Sequence, residues 1–119
     1  MSGGIALEFR MRHPAMHQMY VEQCAAGIFR LGTFLPWQAP GVVIYNLATQ
    51  QRPGPHADLD AIATSVRAAL TDLEARGLSS IGLPRIGAGI GGLSWCDVSQ
   101  TLHAVADASS VEVVVVRLA

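Results

Sequence analysis

Lysine is absent from this 119-residue chain; its eight basic side chains are the arginines Arg10, Arg12, Arg30, Arg52, Arg67, Arg76, Arg85 and Arg117. Every mechanism that needs a side-chain amine is therefore excluded, including Schiff-base chemistry and a Walker-type phosphate lysine. Cysteine is nearly absent. Cys24 and Cys96 have no C-x-x-C spacing, and no secretory pattern precedes them, so two reduced thiols in a cytoplasmic protein are expected. Charge is scarce as well, at 14% of residues with a net charge of −1. With no basic cluster, a surface that grips duplex nucleic acid through its phosphates is excluded. Long apolar runs are missing too: VEVVVVRL carries Glu112 and Arg117 and is far short of a bilayer span.

What is present is apolar. Half of the residues are hydrophobic, which suits one domain over residues 1–119 with a well-buried core. IALEFRMRH leans helical, and Pro14 sits at a first helical position before AMHQMYVEQCAAG. IFRLGTFLP and GVVIYNLAT read as two strands bracketing a PWQAPG connection, and the polar TQQRPGPHAD follows as an exposed loop. DLDAIATSVRAALTDLEARG is the clearest helix, with Leu59, Ile62, Ala63, Val66, Leu70 and Leu73 on one stripe and Gly77 as its stop. SSIGLP reads as a short buried strand. Ser94 and Asp97 have the spacing of a capping box for a helix carrying Trp95, Val98, Leu102 and Val105. VEVVVVRL reads as an interior strand covered on both faces. Strand, helix, strand, helix, strand from residue 42 onward predicts an α/β/α sandwich.

The chemistry-bearing stretch is LPRIGAGIGGLSW, residues 83–95. Gly87, Gly89 and Gly92 satisfy G-x-G-x-x-G, a spacing that lets backbone N–H groups converge on a phosphate while the next helix adds its positive end. A dinucleotide fingerprint is excluded by position, because only one strand follows and it ends in RLA rather than in a ribose-binding acid. A P-loop is excluded because no Gly-Lys-Ser/Thr follows. Two readings stay open on spacing alone: a phosphate cradle, and a glycine turn that only permits close packing. The loop TQQRPGPH follows a parallel strand and is expected to open on the same sheet edge as the glycine turn.

LPRIGAGIGGLSW, VIYNLATQQRP, VEVVVVRL and the opening MSGGIAL together resemble the macrodomain family, in the branch of terminal ADP-ribose protein glycohydrolase and the DarG antitoxins. The resemblance runs over essentially the whole chain. It implies a macrodomain-like α/β/α sandwich with a mixed sheet, shortened at its N-terminus because the chain starts at the family's first glycine loop. It also implies an ADP-ribose pocket. By family position the backbone of Ile86, Gly87, Ala88, Gly89, Ile90 and Gly91 holds the diphosphate and distal ribose, and Gly3, Gly4 and Ile5 line the other side. Thr49 and Gln50 lie beside the distal ribose, and Leu118 touches the adenine. Trp95 aligns with a family tryptophan and reads first as a core residue at a helix start. The implied partners are ADP-ribose or ADP-ribosylated protein or nucleic acid, with a homo-oligomer covering the shortened sheet; no cofactor and no metal are implied.

Two departures bear on activity. Hydrolytic members of this branch carry a lysine where this chain has Gln50, and an aspartate where it has Gly91. Binding through backbone donors survives such changes, whereas a covalent lysine mechanism does not. Three readings therefore stand: an ADP-ribose binder, an ADP-ribosyl hydrolase or O-acetyl-ADP-ribose deacetylase using another arrangement, and a non-binding oligomeric module. For the second, the candidate polar groups are Gln50, Gln51, Arg52 and His56, although His56 reads first as a solvated loop residue. His13, His17 and His103 lack metal-ligand partners and carry no expected chemistry, and Glu8 and Asp97 have structural roles on helices.

Overall fold

The computed structural model describes residues 4–52, 54–89 and 91–116. In chain order the elements are α1 (Gly4–Arg12), α2 (Pro14–Ala25), β1 (Phe34–Ala39), β2 (Val42–Leu47), α3 (Leu59–Ala75), β3 (Ser80–Leu83), α4 (Trp95–Asp107) and β4 (Glu112–Val115). The two helices expected before the strands are present, with Pro14 opening α2.

Helix α3 forms where periodicity, cap and stop agree. Asp58 accepts the Ala61 N–H at 3.0 Å at its start, and Gly77 ends it at φ +73°, with the Leu78 N–H returned to the Leu73 carbonyl. Its stripe of Ile62, Val66, Leu70 and Leu73 is buried against Val98, Leu102 and Val105 of α4, with Leu83 and Val111 closing the cluster. Each such side chain contributes about 1.5–3 kcal/mol relative to exposure, so the α3–α4 pair is the stable centre of the molecule. Ser65, buried within α3, returns its hydroxyl to the Ile62 carbonyl.

The strands depart from the sequence reading in three places. Strand β1 runs through PWQA, so the hairpin turn is only Pro40–Gly41, with Ala39 opposite Val42 and Gly41 at φ +73°. Residues 28–31 are not in a strand. Pro36 is tolerated opposite Tyr45 because, among the described residues, β1 pairs with β2 alone, and an edge strand has no second ladder to lose. The sheet, expected to be continuous, is split into an antiparallel pair β1–β2 and a parallel pair β3–β4. Strand β4 is correspondingly not an interior strand: Val114 and Val115 remain 42% and 38% exposed, because among the described residues β3 alone is paired with it. Helix α4 begins after Ser94 as expected, yet the Ser94 side chain makes no capping hydrogen bond; its carbonyl accepts from Val98 instead.

One polar tie joins the hairpin to the helical core. The Tyr45 hydroxyl on β2 donates to Asp72 on α3, which also accepts from Arg76 at 2.6 Å. Burial and the bond to Asp72 push the Tyr45 hydroxyl up to about 12, while donation from Tyr45 holds the Asp72 carboxyl below its usual range. The cluster acts as a clamp between β2 and α3.

Candidate functional site

Two loops leave the carboxyl ends of β2 and β3 and meet at the start of α3. The Asp58 N–H donates to the Thr49 carbonyl at 2.8 Å, closing the first loop across its own mouth. The Ala57 N–H donates to the Gly91 carbonyl at 3.1 Å, which fastens the first loop to the second. The two loops therefore lie side by side, although β2, expected to be a parallel strand, is paired antiparallel with β1.

The glycines of residues 87–92 do different jobs. Gly87 and Gly92 sit at φ +76° and +82°, where a side chain is strained whatever the space. Gly91 is needed for closeness: a Cβ there would lie 2.7 Å from the Gly87 carbonyl oxygen and 2.8 Å from the Ala57 Cβ. Gly89 needs neither, since a Cβ there meets nothing within 4 Å. The turn holds itself through the Leu93 N–H to the Gly87 carbonyl at 2.8 Å and the Gly92 N–H to the Gly89 carbonyl at 3.2 Å. Its shape is set by glycine packing on Pro55 and Ala57, and Gly89 marks its open side.

The predicted site residues fall into groups. Ile5 from the first turn of α1, Thr49 after β2 and Ile86 after β3 line one cavity of about 710 Å³. Gly4 lies in the same first turn of α1. Gly87, Ala88, Gly89 and Gly91 form the second loop beside it. Arg52 and His56 line a separate open hollow of about 530 Å³ with Leu31, Gln51, Ala57 and Asp58. Gln50 is turned inward: its side-chain amide donates to the Arg52 carbonyl at 2.7 Å and to the Gly54 carbonyl at 3.3 Å, so it organises its own loop. Gly3, Ile90 and Leu118 lie outside the described residues.

Sequence reasoning missed Pro55 and Ala57, which pack on the glycines of the second loop, and Asp58, which closes the first loop on Thr49. Asp58 could have been found from its position just before an apolar-periodic helix, but the contacts of Pro55 and Ala57 with glycines thirty or more residues away leave no local signal. It also missed the partner of Trp95, half-buried at the start of α4 with the Arg85 guanidinium 5.1 Å from its ring centroid. Among the described residues no group of three His, Cys, Asp or Glu side chains is placed to hold a metal ion.

A glycine turn and a polar loop, joined at the carboxyl ends of β2 and β3 and beside the N-terminus of α3, sit in an α/β fold. The chain belongs to the Macro domain family, whose model matches residues 1–102. It is similar to the DNA ADP-ribosyl glycohydrolase of Thermus aquaticus, 28% identical over 91% of this chain and 31% of that protein. It is also similar to human ADP-ribose glycohydrolase OARD1, 25% identical over 99% of this chain and 74% of that protein. The solved macrodomain of Mycobacterium tuberculosis DarG superposes with a TM-score of 0.85 at 27% identity, covering 97% of this chain and 79% of that one. The chain thus spans about a third of the bacterial DNA ADP-ribosyl glycohydrolases it matches. The α/β macrodomain fold expected from the sequence is the fold observed, with its sheet in two halves.

Proposed function

We propose that the chain binds ADP-ribose, or ADP-ribosylated protein or nucleic acid, through backbone groups of the loops after β2 and β3. The observation that carries this reading is the fastening of those two loops by Ala57 to Gly91, with the first closed on itself by Asp58 to Thr49, beside Ile5 and Ile86. Similarity to proteins named as ADP-ribosyl glycohydrolases supports the ligand. Binding is favoured over hydrolysis by a lysine nucleophile, because the chain has no lysine, Gln50 is engaged in its own loop, and Gly91 has no room for a carboxylate.

The test is titration calorimetry with ADP-ribose on the wild type and on Gly89→Glu. The added side chain starts in open space, so the fold is retained while a carboxylate faces the phosphates. Affinity is expected to fall at least about 100-fold, equivalent to about 2.7 kcal/mol. Absence of heat and of any melting shift with the wild type at millimolar ADP-ribose refutes the reading. An unchanged affinity in Gly89→Glu means the loop is misassigned.

A further inference from the structure

Two side chains meet across the base of the glycine turn. Arg85 lies between the carboxyl end of β3 and the turn, Trp95 is the first residue of α4 just after it, and the Arg85 guanidinium sits 5.1 Å from the centre of the Trp95 ring. The turn, residues 86–94, lies wholly between these partners. Pro84 and Ile86, on either side of Arg85, line the cavity of about 710 Å³, whereas Arg85 does not, because its guanidinium is over the indole instead. Trp95 is half-buried and packs on the core cluster of α3 and α4, so its ring offers the guanidinium a fixed surface. Among the described residues Arg85 makes no ion pair; those present join Arg12 to Glu8 and Arg76 to Asp72. What holds Arg85 is the attraction of a cation to the face of an aromatic ring.

We propose that Arg85 is a positioning residue for the phosphate-binding turn, and that its seat on Trp95 fixes the end of β3 relative to the start of α4. The proposal rests on the ADP-ribose reading of the loops and names the side chains through which that site keeps its shape. The start of α4 lacks the usual anchor, since the Ser94 side chain makes no capping hydrogen bond. The bonds inside the turn, from the Leu93 N–H to the Gly87 carbonyl and from the Gly92 N–H to the Gly89 carbonyl, fold it on itself and reach neither β3 nor α4. Pro55 and Ala57 hold the turn at Gly87, Gly91 and Gly92, and Arg85 with Trp95 holds its base. Charge alone would not keep Arg85 there. A cation beside a helix N-terminus opposes the helix dipole, so in the free protein the ring retains the guanidinium against that repulsion. Losing either partner therefore releases the base of the turn, while the α3 and α4 core, which Arg85 does not enter, stays packed.

A double-mutant cycle on the 119-residue chain tests this, with Arg85→Met, Trp95→Leu and the two together, read by amide hydrogen exchange at Gly92 and Leu93 and by calorimetry with ADP-ribose. Each single variant is expected to speed exchange at both amides, and to weaken ADP-ribose, by about fivefold, the size of one such contact. The double variant is expected to go no further than the worse single one, because either change alone breaks the tie. Arg85→Lys keeps a cation for the ring and Trp95→Phe keeps a ring for the cation, so both should recover most of the loss. Arg85→Met alters an exposed side chain and should melt within about 2 °C of the wild type, so it carries the test should Trp95→Leu not fold. Unchanged exchange at Gly92 and Leu93 in Arg85→Met overturns the proposal. So do effects that add in the double variant, which would mean that Arg85 acts by its charge alone, and a melting midpoint for Arg85→Met lowered by more than about 2 °C, which would make its role one of global stability. The exchange readings need no ligand: a wild type that fails to bind ADP-ribose refutes the binding reading, and exchange still decides whether Arg85 and Trp95 hold the turn.

Discussion

A methyl group on Gly91 would sit 2.7 Å from the Gly87 carbonyl oxygen, 2.8 Å from the Ala57 Cβ and 2.9 Å from the Gly87 Cα. Two of those three atoms are backbone, and the third is a Cβ fixed to it, so none can rotate away. Gly91→Ala must therefore move one loop relative to the other and weaken the bond between Ala57 and Gly91. Overpacking of this kind costs about 1–3 kcal/mol. For a chain of this size 1 kcal/mol corresponds to about 4 °C, so the melting midpoint is expected to fall by about 4–12 °C in a thermal scan. Gly89→Ala is the matched control, since its Cβ meets nothing within 4 Å, and it should melt within about 1 °C of the wild type. The reasoning fails if Gly91→Ala melts with the wild type, or if both variants fall equally. The same geometry implies that Gly91→Asp loosens the loop without producing hydrolysis, which incubation with an ADP-ribosylated protein checks.

Further outcomes follow from the caps, the clamp and the inward-turned amide. Asp58→Ala removes the side chain that accepts the Ala61 N–H and should cost about 1 kcal/mol by urea denaturation; Ser94→Ala, whose hydroxyl makes no cap bond, should stay within about 0.5 kcal/mol. The lowered Asp72 carboxyl means the folded state binds its proton more weakly than the unfolded chain does. Its contribution is present above the ordinary carboxylate range and is lost as pH falls through the folded value, below about pH 4. Tyr45→Phe removes the largest cause of that shift, so the urea midpoint should fall less steeply with acid in this variant; an unchanged profile refutes the clamp. Gln50→Ala frees the Arg52 and Gly54 carbonyls and is expected to weaken ADP-ribose binding several-fold while shifting the melting midpoint by less than about 2 °C, because an exposed loop adds little to global stability.

The helical half of the fold was legible because its signals are local. The stripe of α3, the glycine at its end and the apolar face of α4 repeat every three or four residues, and packing them against each other satisfies both at once. The strands were less legible. Pro36 and Gln38 looked like turn residues, but the ladder from Ala39 opposite Val42 to Phe34 opposite Leu47 absorbed them, since an edge strand tolerates a missing donor. VEVVVVRL looked interior because its residues are apolar, yet apolarity reports what a strand prefers and not whether a neighbour is there to cover it. At the site, the glycine turn was visible in its spacing. Which of its glycines is replaceable was not.

By itself the sequence determined that a lysine nucleophile is unavailable, that a glycine turn follows a short strand, and that the segments after Asp58 and Ser94 form helices with one apolar face. These are statements about residue identity and short-range period, which need no knowledge of distant neighbours. Tertiary structure alone decided that Gly91 is closed off by Gly87 and Ala57, that Gln50 turns to its own loop, and that β2 and β3 face each other across a cleft. Those depend on contacts between segments tens of residues apart, where the chain's path through space, and no pattern along it, sets which atoms meet.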